Sequence, residues 1–329
     1  MANYDIFNGD ADGICALHQL RLQSPKESTL ITGLKRDINL LQQIEPKRGD
    51  HLTILDISLD KNRDGIARAI EVGSIIFYAD HHFAGEQPLD EQFPVITDKS
   101  QYQFLIDTTP DTCTSLIVNQ HLKGAEQIWS VVGAYGDNFF ESAQKAAEPL
   151  DLNLTQHQQL KELGTCLNYN GYGFTLDDLI YHPADLYQLI HPYRDPFGFI
   201  AEERAYQQLR EAYHSDLQEA EKIQPTNVDE HTAIYILPNH KWARRVSGIF
   251  GNRLAQGNPS RAHAVLIDMD DGFYRVSVRA PLVTKTGADE LCRQFKTGGG
   301  RQAAAGINKL PQYELEKFTR LFSQIATKH

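Results

Sequence analysis

Residues 74–82 read SIIFYADHH, an apolar run that ends in one acid and two imidazoles. The run predicts a buried strand, so Asp80-His81-His82 would stand where that strand emerges into a loop. Polar groups at the carboxyl ends of strands in an open α/β sheet point into the crevice where ligands bind. Carboxylate and imidazole together suit Mn²⁺, Zn²⁺ or Mg²⁺, which indicates a metal site. The alternative is a pair of ordinary hydrogen-bonded loop histidines.

Acids recur at the ends of other predicted strands. Residues 8–13 read NGDADG, and the glycines at both ends of the DAD core allow the chain to bend from a strand into a helix. We predict three further strands that end in acid: Tyr4–Phe7 before Asp10 and Asp12, His51–Leu55 before Asp56, and Ile128–Gly136 before Asp137. Any one of these acids could be a helix N-cap, but N-capping does not explain all of them.

Four or more carboxylates at one edge of a sheet would repel strongly unless cations neutralise them. Metal ions are therefore the economical explanation. Two ions about 3.5 to 4 Å apart, bridged by one shared Asp, can activate water and hold a phosphoryl oxygen. The chemistry that the pattern predicts is phosphoester hydrolysis.

These motifs resemble, in order and context, those of the DHH phosphoesterase superfamily, and the later part of the chain resembles its DHHA1 domain. The matching segments are NGDADG at 8–13, Asp56, Asp80-His81-His82, Asp137, RVSVR at 275–279 and GGGRQAAAG at 298–306. The resemblance covers nearly the whole chain. It implies an α/β fold, with a mainly parallel-sheet DHH domain that has helices on both faces and a smaller α/β DHHA1 domain.

We expect a DHH metal-binding domain over residues 1–195, a helical linker over 196–225 and a DHHA1 substrate-binding domain over 226–329. The polar segment around Pro225 ends the helical pattern. From residue 226 the chain has 15 Lys and Arg against 9 Asp and Glu, whereas the remainder has 17 against 34. A basic domain joined to an acidic one suits an anionic substrate.

Within residues 226–329 the pattern predicts alternating strands and helices. The expected strands are Thr232–Leu237, Ala262–Asp268 and Phe273–Arg279, and the expected helices are Trp242–Leu254, Ala288–Phe295 and Gln312–Ala326. Between the last two helices we expect a glycine-rich turn.

Composition agrees with a two-domain enzyme. The 329 residues are 41% hydrophobic, and no apolar run approaches the ~18 residues of a membrane span. The start of the chain lacks a signal-peptide apolar segment, so we expect a cytoplasmic protein without membrane partners. Its four cysteines form no C-x-x-C pair and are expected to be buried thiols.

The resemblance implies a role for each motif residue and a cofactor of two divalent ions, Mn²⁺ preferred and Mg²⁺ the alternative. The implied metal ligands are Asp10, Asp12, Asp56, His81 and Asp137. Asp56 would bridge the ions, Asp80 would orient its neighbours, and His82 would face the scissile phosphate as donor or general acid.

Two positions depart from the family pattern. Many relatives have His where this chain has Asn8, a poorer ligand for Mn²⁺. The first metal site would therefore be weaker, altered in selectivity or filled only with substrate. Relatives commonly have His where this chain has Arg301, which can offer a bidentate fork to phosphate. The implied substrate-binding residues are Arg279, Gly298, Gly299, Gly300 and Arg301. The alternative for the glycines is a left-handed turn that closes a helix.

The resemblance leaves several substrates, and the net charge of −11 argues against a long basic track for processive binding of nucleic acid. We therefore expect hydrolysis of very short RNA, diribonucleotides such as pGpG above all, to nucleoside monophosphates. The alternatives are a 3′,5′-bisphosphonucleotide (pAp) phosphatase and a non-catalytic dinucleotide-binding protein. The oligomeric state stays open, and a homodimer is compatible with the sequence.

Overall fold

A computed structural model describes residues 1–325 of the chain. It divides the chain into two compact units, Met1–Glu211 and a second unit that begins at Ala212. The division falls inside the segment 196–225 that the sequence assigns to a helical linker. Ala326, the predicted last residue of the final helix, lies outside the described residues.

The first unit is built on a parallel sheet. Its strands are β1 (Asn3–Phe7), β2 (Thr29–Ile31), β3 (His51–Leu55), β4 (Ile75–Asp80) and β5 (Tyr102–Ile106). They lie in the order β2-β1-β3-β4-β5, and every neighbouring pair is parallel. The predicted parallel α/β architecture is confirmed.

The helices of this part of the chain precede, or in the last case cross, the division between the two units. They are α1 (Ala11–Gln23), α2 (Leu59–Val72), α3 (Leu89–Gln92), α4 (Thr114–His121), α5 (Gln127–Gly136), α6 (Phe140–Ala147), α7 (Leu154–Asn170), α8 (Pro183–Ile190), α9 (Pro196–Glu202) and α10 (Arg204–Glu221). One face of the sheet, with Ile54 and Tyr78, packs against Ile66 of α2 in a buried apolar cluster. Alternate side chains of a strand point to opposite faces. The other face contacts α1 and α4.

The predicted strand Ile128–Gly136 is wrong, because this segment belongs to the helix α5. All residues from Trp129 to Gly136 are buried, and a helix that is apolar all round shows no period that separates it from a buried strand. Glycines allow the close packing: a Cβ on Gly133 would lie 2.3 Å from Ser115 Oγ, and one on Gly136 would lie 2.3 Å from Ala11 Cβ. Asp137 therefore follows a helix and not a strand.

The second unit holds a mixed sheet. Its elements are β6 (Asn227–Val228), β7 (Thr232–Leu237), α11 (Lys241–Gly257), β8 (Ala262–Asp268), β9 (Phe273–Arg279), α12 (Ala288–Cys292), β10 (Gly298–Gly300), β11 (Ala304–Pro311) and α13 (Leu315–Phe322). The strand order is β10-β11-β9-β8-β7-β6, with β7 and β8 parallel and the other pairs antiparallel. Its core includes Leu266, Val278 and Phe318. In the part of the chain that the structure describes, no helix has the length and apolar character to cross a membrane.

The glycine-rich turn is a second correction, because Gly298–Gly300 form the strand β10. A Cβ on Gly298 would lie 1.8 Å from the carbonyl oxygen of Cys292, and one on Gly300 would lie 2.5 Å from Ala305 Cα. Gly300 also has φ of 142°, which residues with side chains rarely adopt. The glycines thus allow β10 to pack tightly on α12 and β11, and the helix before them ends at Cys292 rather than at Phe295.

His18 is a buried group that makes the stability of the first unit sensitive to acid. Its ring packs edge-on against Trp129 at 4.6 Å, and its Nε2 lies 2.8 Å from the carbonyl oxygen of Tyr193. Burial lowers the pKa of His18 from its ordinary 6.5 to about 4. The unfolded chain therefore takes up a proton at a pH where the folded chain does not.

We expect the stability contributed by neutral His18 to be lost as the pH falls from 6.5 towards 4, by about 2 kcal/mol at pH 5. Urea unfolding at pH 7 and pH 5 would measure this loss. His18→Gln should lose about 2 kcal/mol less between the two pH values than the unmodified protein. His121→Gln, which changes an exposed histidine of the same unit, should behave like the unmodified protein. Equal pH dependence in all three proteins would contradict the assignment.

Candidate metal centre

Three strands bring their acidic motifs to one edge of the parallel sheet. Phe7 of β1 pairs with Leu55 of β3, and Leu55 pairs with Ala79 of β4. The carboxyl ends of these strands therefore lie side by side, and the motifs that follow them are neighbours. Asp137 joins them from the carboxyl end of α5, where its N–H donates to the carbonyl of Gly133 at 3.0 Å.

The two acids of the NGDADG motif lie at the start of α1. Asp10 is the helix N-cap: its Oδ1 accepts from the N–H groups of Asp12 at 3.0 Å and Gly13 at 3.1 Å. Asp10 is thus a helix N-cap, as one interpretation of the sequence predicts, but only one of its two oxygens is used in this way. The carboxylate of Asp12 accepts from the N–H groups of Thr114 at 2.7 Å and Ser115 at 2.8 Å. These amides begin α4, so a helix amino terminus stabilises the charge on Asp12.

Asp56 stands at the centre of the group with a left-handed backbone, φ 58°. It is 1% exposed, and Thr114 donates its hydroxyl to Asp56 Oδ1 at 3.0 Å. Burial raises the pKa of Asp56 well above its ordinary value, and the nearby carboxylates, Asp12 and Asp10 foremost, raise it further. A nearby cation would therefore favour the ionised form of Asp56.

His81 brings a ring nitrogen close to Asp56 and Asp137. Its Nε2 lies 3.5 Å from Asp56 Oδ1 and 3.6 Å from Asp137 Oδ2. This atom is buried and has no hydrogen-bond partner within residues 1–325. Two sets of ligand atoms lie within 4.8 Å of one another: Asp56 with His81 and His82, and Asp12 with His81 and Asp137. An orphaned imidazole nitrogen facing two carboxylates fits a divalent ion.

His82 and Asp80 form a separate pair. The Nδ1 of His82 lies 2.7 Å from Oδ1 of Asp80, which is fully buried, whereas the His82 side chain is 28% exposed. Burial lowers the pKa of His82, but the hydrogen bond and charge of Asp80 outweigh it, so the pKa is raised. With Nδ1 held by Asp80, Nε2 is the ring atom that is left to donate a proton.

Lys35 is the site residue that sequence reasoning missed. Its Nζ donates to Asp10 Oδ2 at 2.5 Å, to Asp137 Oδ1 at 2.6 Å and to Asn168 Oδ1 at 2.9 Å. Burial would lower the pKa of Lys35, but Asp10 and Asp137 together raise it well above its ordinary value. Burial correspondingly raises the pKa of Asp10, but the ammonium outweighs it, so that pKa is lowered. The short strand β2, which was not predicted, could have indicated Lys35. Because β2 is the parallel neighbour of β1, the loop that carries Lys35 lies beside the loop that carries Asp10.

The role of Asn8 as a weak metal ligand stays a prediction. Its amide Nδ2 donates to the carbonyl oxygen of Lys35 at 3.2 Å, and its Oδ1 is buried without a hydrogen-bond partner within residues 1–325. Asn8 therefore contacts the segment that carries the lysine.

The candidate substrate-binding residues lie in the second unit. Arg279 ends β9, and its guanidinium donates to Asn252 Oδ1 at 2.5 Å and to the carbonyl of Gly248 at 3.2 Å, so it is held by α11. Its predicted contact with substrate stays a prediction. Arg301 is exposed in the tight turn between β10 and β11, where its N–H and carbonyl pair with Ala304 at 2.9 and 3.1 Å.

Comparison with known proteins supports the fold. No protein-family model matches the chain, and no curated protein matches its sequence. The solved structure of the exonuclease RecJ bound to manganese is similar, with a TM-score of 0.62, 13% identity, and coverage of 100% of this chain and 90% of that chain. RecJ from Thermus thermophilus in complex with Mn²⁺ gives 0.62 at 15% identity, and the match covers 100% of this chain but about half of that chain, 52%.

A third similar structure is the pGpG-specific phosphodiesterase PggH from Vibrio cholerae. Its TM-score is 0.57 at 10% identity, with 100% of both chains covered. The likeness extends over both units in each of these comparisons. The chain therefore has the fold of the DHH/DHHA1 phosphoesterases, as its sequence motifs predict.

Proposed function

We propose that this chain is a metal-dependent phosphodiesterase that hydrolyses very short oligoribonucleotides, diribonucleotides such as pGpG above all, to nucleoside monophosphates. The observation that carries the proposal is the orphaned Nε2 of His81, which faces Asp56 and Asp137. Nitrogen and carboxylate oxygen are ligands that suit Mn²⁺, with Mg²⁺ the alternative. A divalent ion at this point would favour the ionised form of Asp56, which burial among other carboxylates disfavours.

The residues that would hold an ion here are Asp12, Asp56, His81 and Asp137. A bound divalent ion would polarise the phosphoryl oxygen and lower the pKa of a water molecule towards neutrality. The chain itself would supply a proton donor at His82, which Asp80 orients and whose pKa Asp80 raises. It also supplies a fixed positive charge at Lys35. Both groups would stabilise negative charge that develops on the phosphate oxygens during cleavage.

The choice of a short substrate rests on the residues around the motif and on the likeness to PggH, a phosphodiesterase specific for pGpG. Phe83 follows the paired histidines directly and is 64% exposed. An exposed ring beside the catalytic group can stack on a nucleobase, and such stacking tolerates different bases. The acidic balance of the first unit does not favour a long nucleic acid.

A panel of four substrates separates the proposed function from its alternatives. With Mn²⁺ present, we expect chromatography to show pGpG and pApA converted to monophosphates, and a longer oligomer cleaved much more slowly. Release of inorganic phosphate from pAp, with pGpG intact, would identify a bisphosphonucleotide phosphatase. Binding of pGpG without turnover at any Mn²⁺ or Mg²⁺ concentration would identify a dinucleotide-binding protein.

Substitution of Asp56 tests the metal site. Asp56→Asn keeps a side chain that tolerates the left-handed backbone and removes only the charge. We expect loss of bound metal and a fall in kcat of about a thousandfold, the size seen when a main electrostatic stabiliser is removed. Metal analysis and steady-state kinetics would measure both. Asp64→Asn, at an exposed site in α2, is the control and should remain fully active. A fully active Asp56→Asn protein would contradict the assignment.

Substitution of Arg301 tests phosphate binding by the second unit. Arg301→Ala should raise KM for pGpG by about tenfold with little change in kcat, because a charge-assisted hydrogen bond to a non-reacting phosphate contributes to binding alone. Arg320→Ala removes an exposed arginine of α13 and should leave KM unchanged. An equal KM in the Arg301→Ala and unmodified proteins would refute the phosphate contact.

A further inference from the structure

The ammonium group of Lys35 is surrounded by oxygen atoms, as a bound cation would be. An ammonium group has three protons to donate and accepts none. All three are directed at oxygens, those of Asp10 at 2.5 Å, Asp137 at 2.6 Å and Asn168 at 2.9 Å. Its side chain is 25% exposed, so much of the stem is buried as well. This coordination is unlike that of a surface lysine, which pairs loosely with one acid.

The backbone of Lys35 is fixed on both sides of the side chain. Its N–H donates to the carbonyl of Gly171 at 2.9 Å, and its own carbonyl accepts from Asn8 at 3.2 Å. The preceding residue is held too, because the N–H of Leu34 donates to Asp37 at 2.9 Å. The segment is thus anchored to the motif loop and to the end of α7. These anchors direct the lysine side chain at the carboxylates.

The ammonium uses the oxygens that one of two metal ions would need. Asp10 has Oδ1 bound to the backbone of α1 and Oδ2 bound to Lys35. A divalent ion on Asp10 Oδ2 would stand against the ammonium, a charge of the same sign. Asn8, the other residue on this side, donates its amide N–H to the carbonyl of Lys35, and its unpartnered Oδ1 is a neutral oxygen that adds no charge to offset the ammonium. The residues around Asp10 therefore do not fit an ion while Lys35 is in place.

Asp137 lies between Lys35 and His81. Its Oδ1 accepts from Lys35 at 2.6 Å, and its Oδ2 lies 3.6 Å from the orphaned Nε2 of His81. One carboxylate thus faces the lysine on one side and the open ligand nitrogen on the other. On the side of Asp56 and His81, the ligand atoms that could hold an ion are not occupied by the ammonium.

We propose that the Lys35 ammonium takes the place of one of the two expected metal ions, so that this protein binds a single divalent ion, on the side of Asp56 and His81. The inference rests on the metal dependence of the proposed function and is independent of the substrate. Lys35 then supplies a permanent positive charge, and the carboxylate of Asp137 lies between this ammonium and the bound ion.

Metal stoichiometry tests this proposal without any substrate. The chelator-treated and desalted protein is titrated with Mn²⁺, bound metal is measured by equilibrium dialysis and mass spectrometry, and the Mn²⁺ is observed by electron paramagnetic resonance. We expect one Mn²⁺ per chain, with the spectrum of an isolated ion. Lys35→Met removes the charge at similar length and should bind a second Mn²⁺, with the spectrum of a coupled pair. Lys61→Met, which changes a lysine 57% exposed on α2, should bind one.

Each outcome supports or overturns the inference. Two coupled ions in the unmodified protein would overturn it and leave metal dependence intact. A folded Lys35→Met protein that still binds one ion would also overturn it. Absence of any bound Mn²⁺ would overturn both the inference and the metal dependence of the proposed function. If Lys35→Met does not fold, the unmodified protein decides alone: one isolated ion supports the inference, and two coupled ions refute it.

Discussion

Repulsion among buried carboxylates at one edge of the parallel sheet is the constraint to which the rest of the first unit responds. Each acid is stabilised differently. The amino terminus of α4 stabilises Asp12, the ammonium of Lys35 neutralises Asp10, and the imidazole of His82 pairs with Asp80. Asp56 accepts a hydrogen bond from a hydroxyl, and burial among like charges raises its pKa well above its ordinary value. The start of α4 and the loop after β2 thus supply the groups that stabilise Asp12 and Asp10, and a cation would do the same for ionised Asp56.

Close helix packing sets the position of the last carboxylate. Asp137 follows Gly136, where a Cβ would lie 2.3 Å from Ala11 and 2.8 Å from the carbonyl oxygen of Gly164. The helices α1, α5 and α7 can therefore approach one another only because these positions lack side chains. Since Asp10 is the N-cap of α1, the same packing fixes the separation between Asp10 and Asp137. That separation is short enough for one ammonium to contact both.

The sequence predicts the parts of this protein in which local pattern and tertiary packing agree. The strands that lead to Asp10, Asp56 and Asp80 are confirmed, the last of them ending at Asp80 itself. Short apolar runs followed by turn residues are typical of buried strands. The prediction for the segment before Asp137 failed because full burial removes the polar face by which a helix is recognised. Lys35 could not be found by pattern at all. Its partners lie 25, 102 and 133 residues away along the chain, and only the fold brings them together.

The presence of asparagine at position 8 is consistent with a lysine at position 35, because the two residues are in contact. A histidine at position 8 would offer a ring nitrogen to an ion, whereas the amide of Asn8 donates to the carbonyl of Lys35 and helps to aim its side chain. A carboxylate at position 8 could not donate this hydrogen bond and would add a further negative charge. The neutral residue is therefore the one that suits an adjacent fixed ammonium. Positive charge on the Asp10 side is then carried by the chain itself, and its presence does not depend on the concentration of free metal.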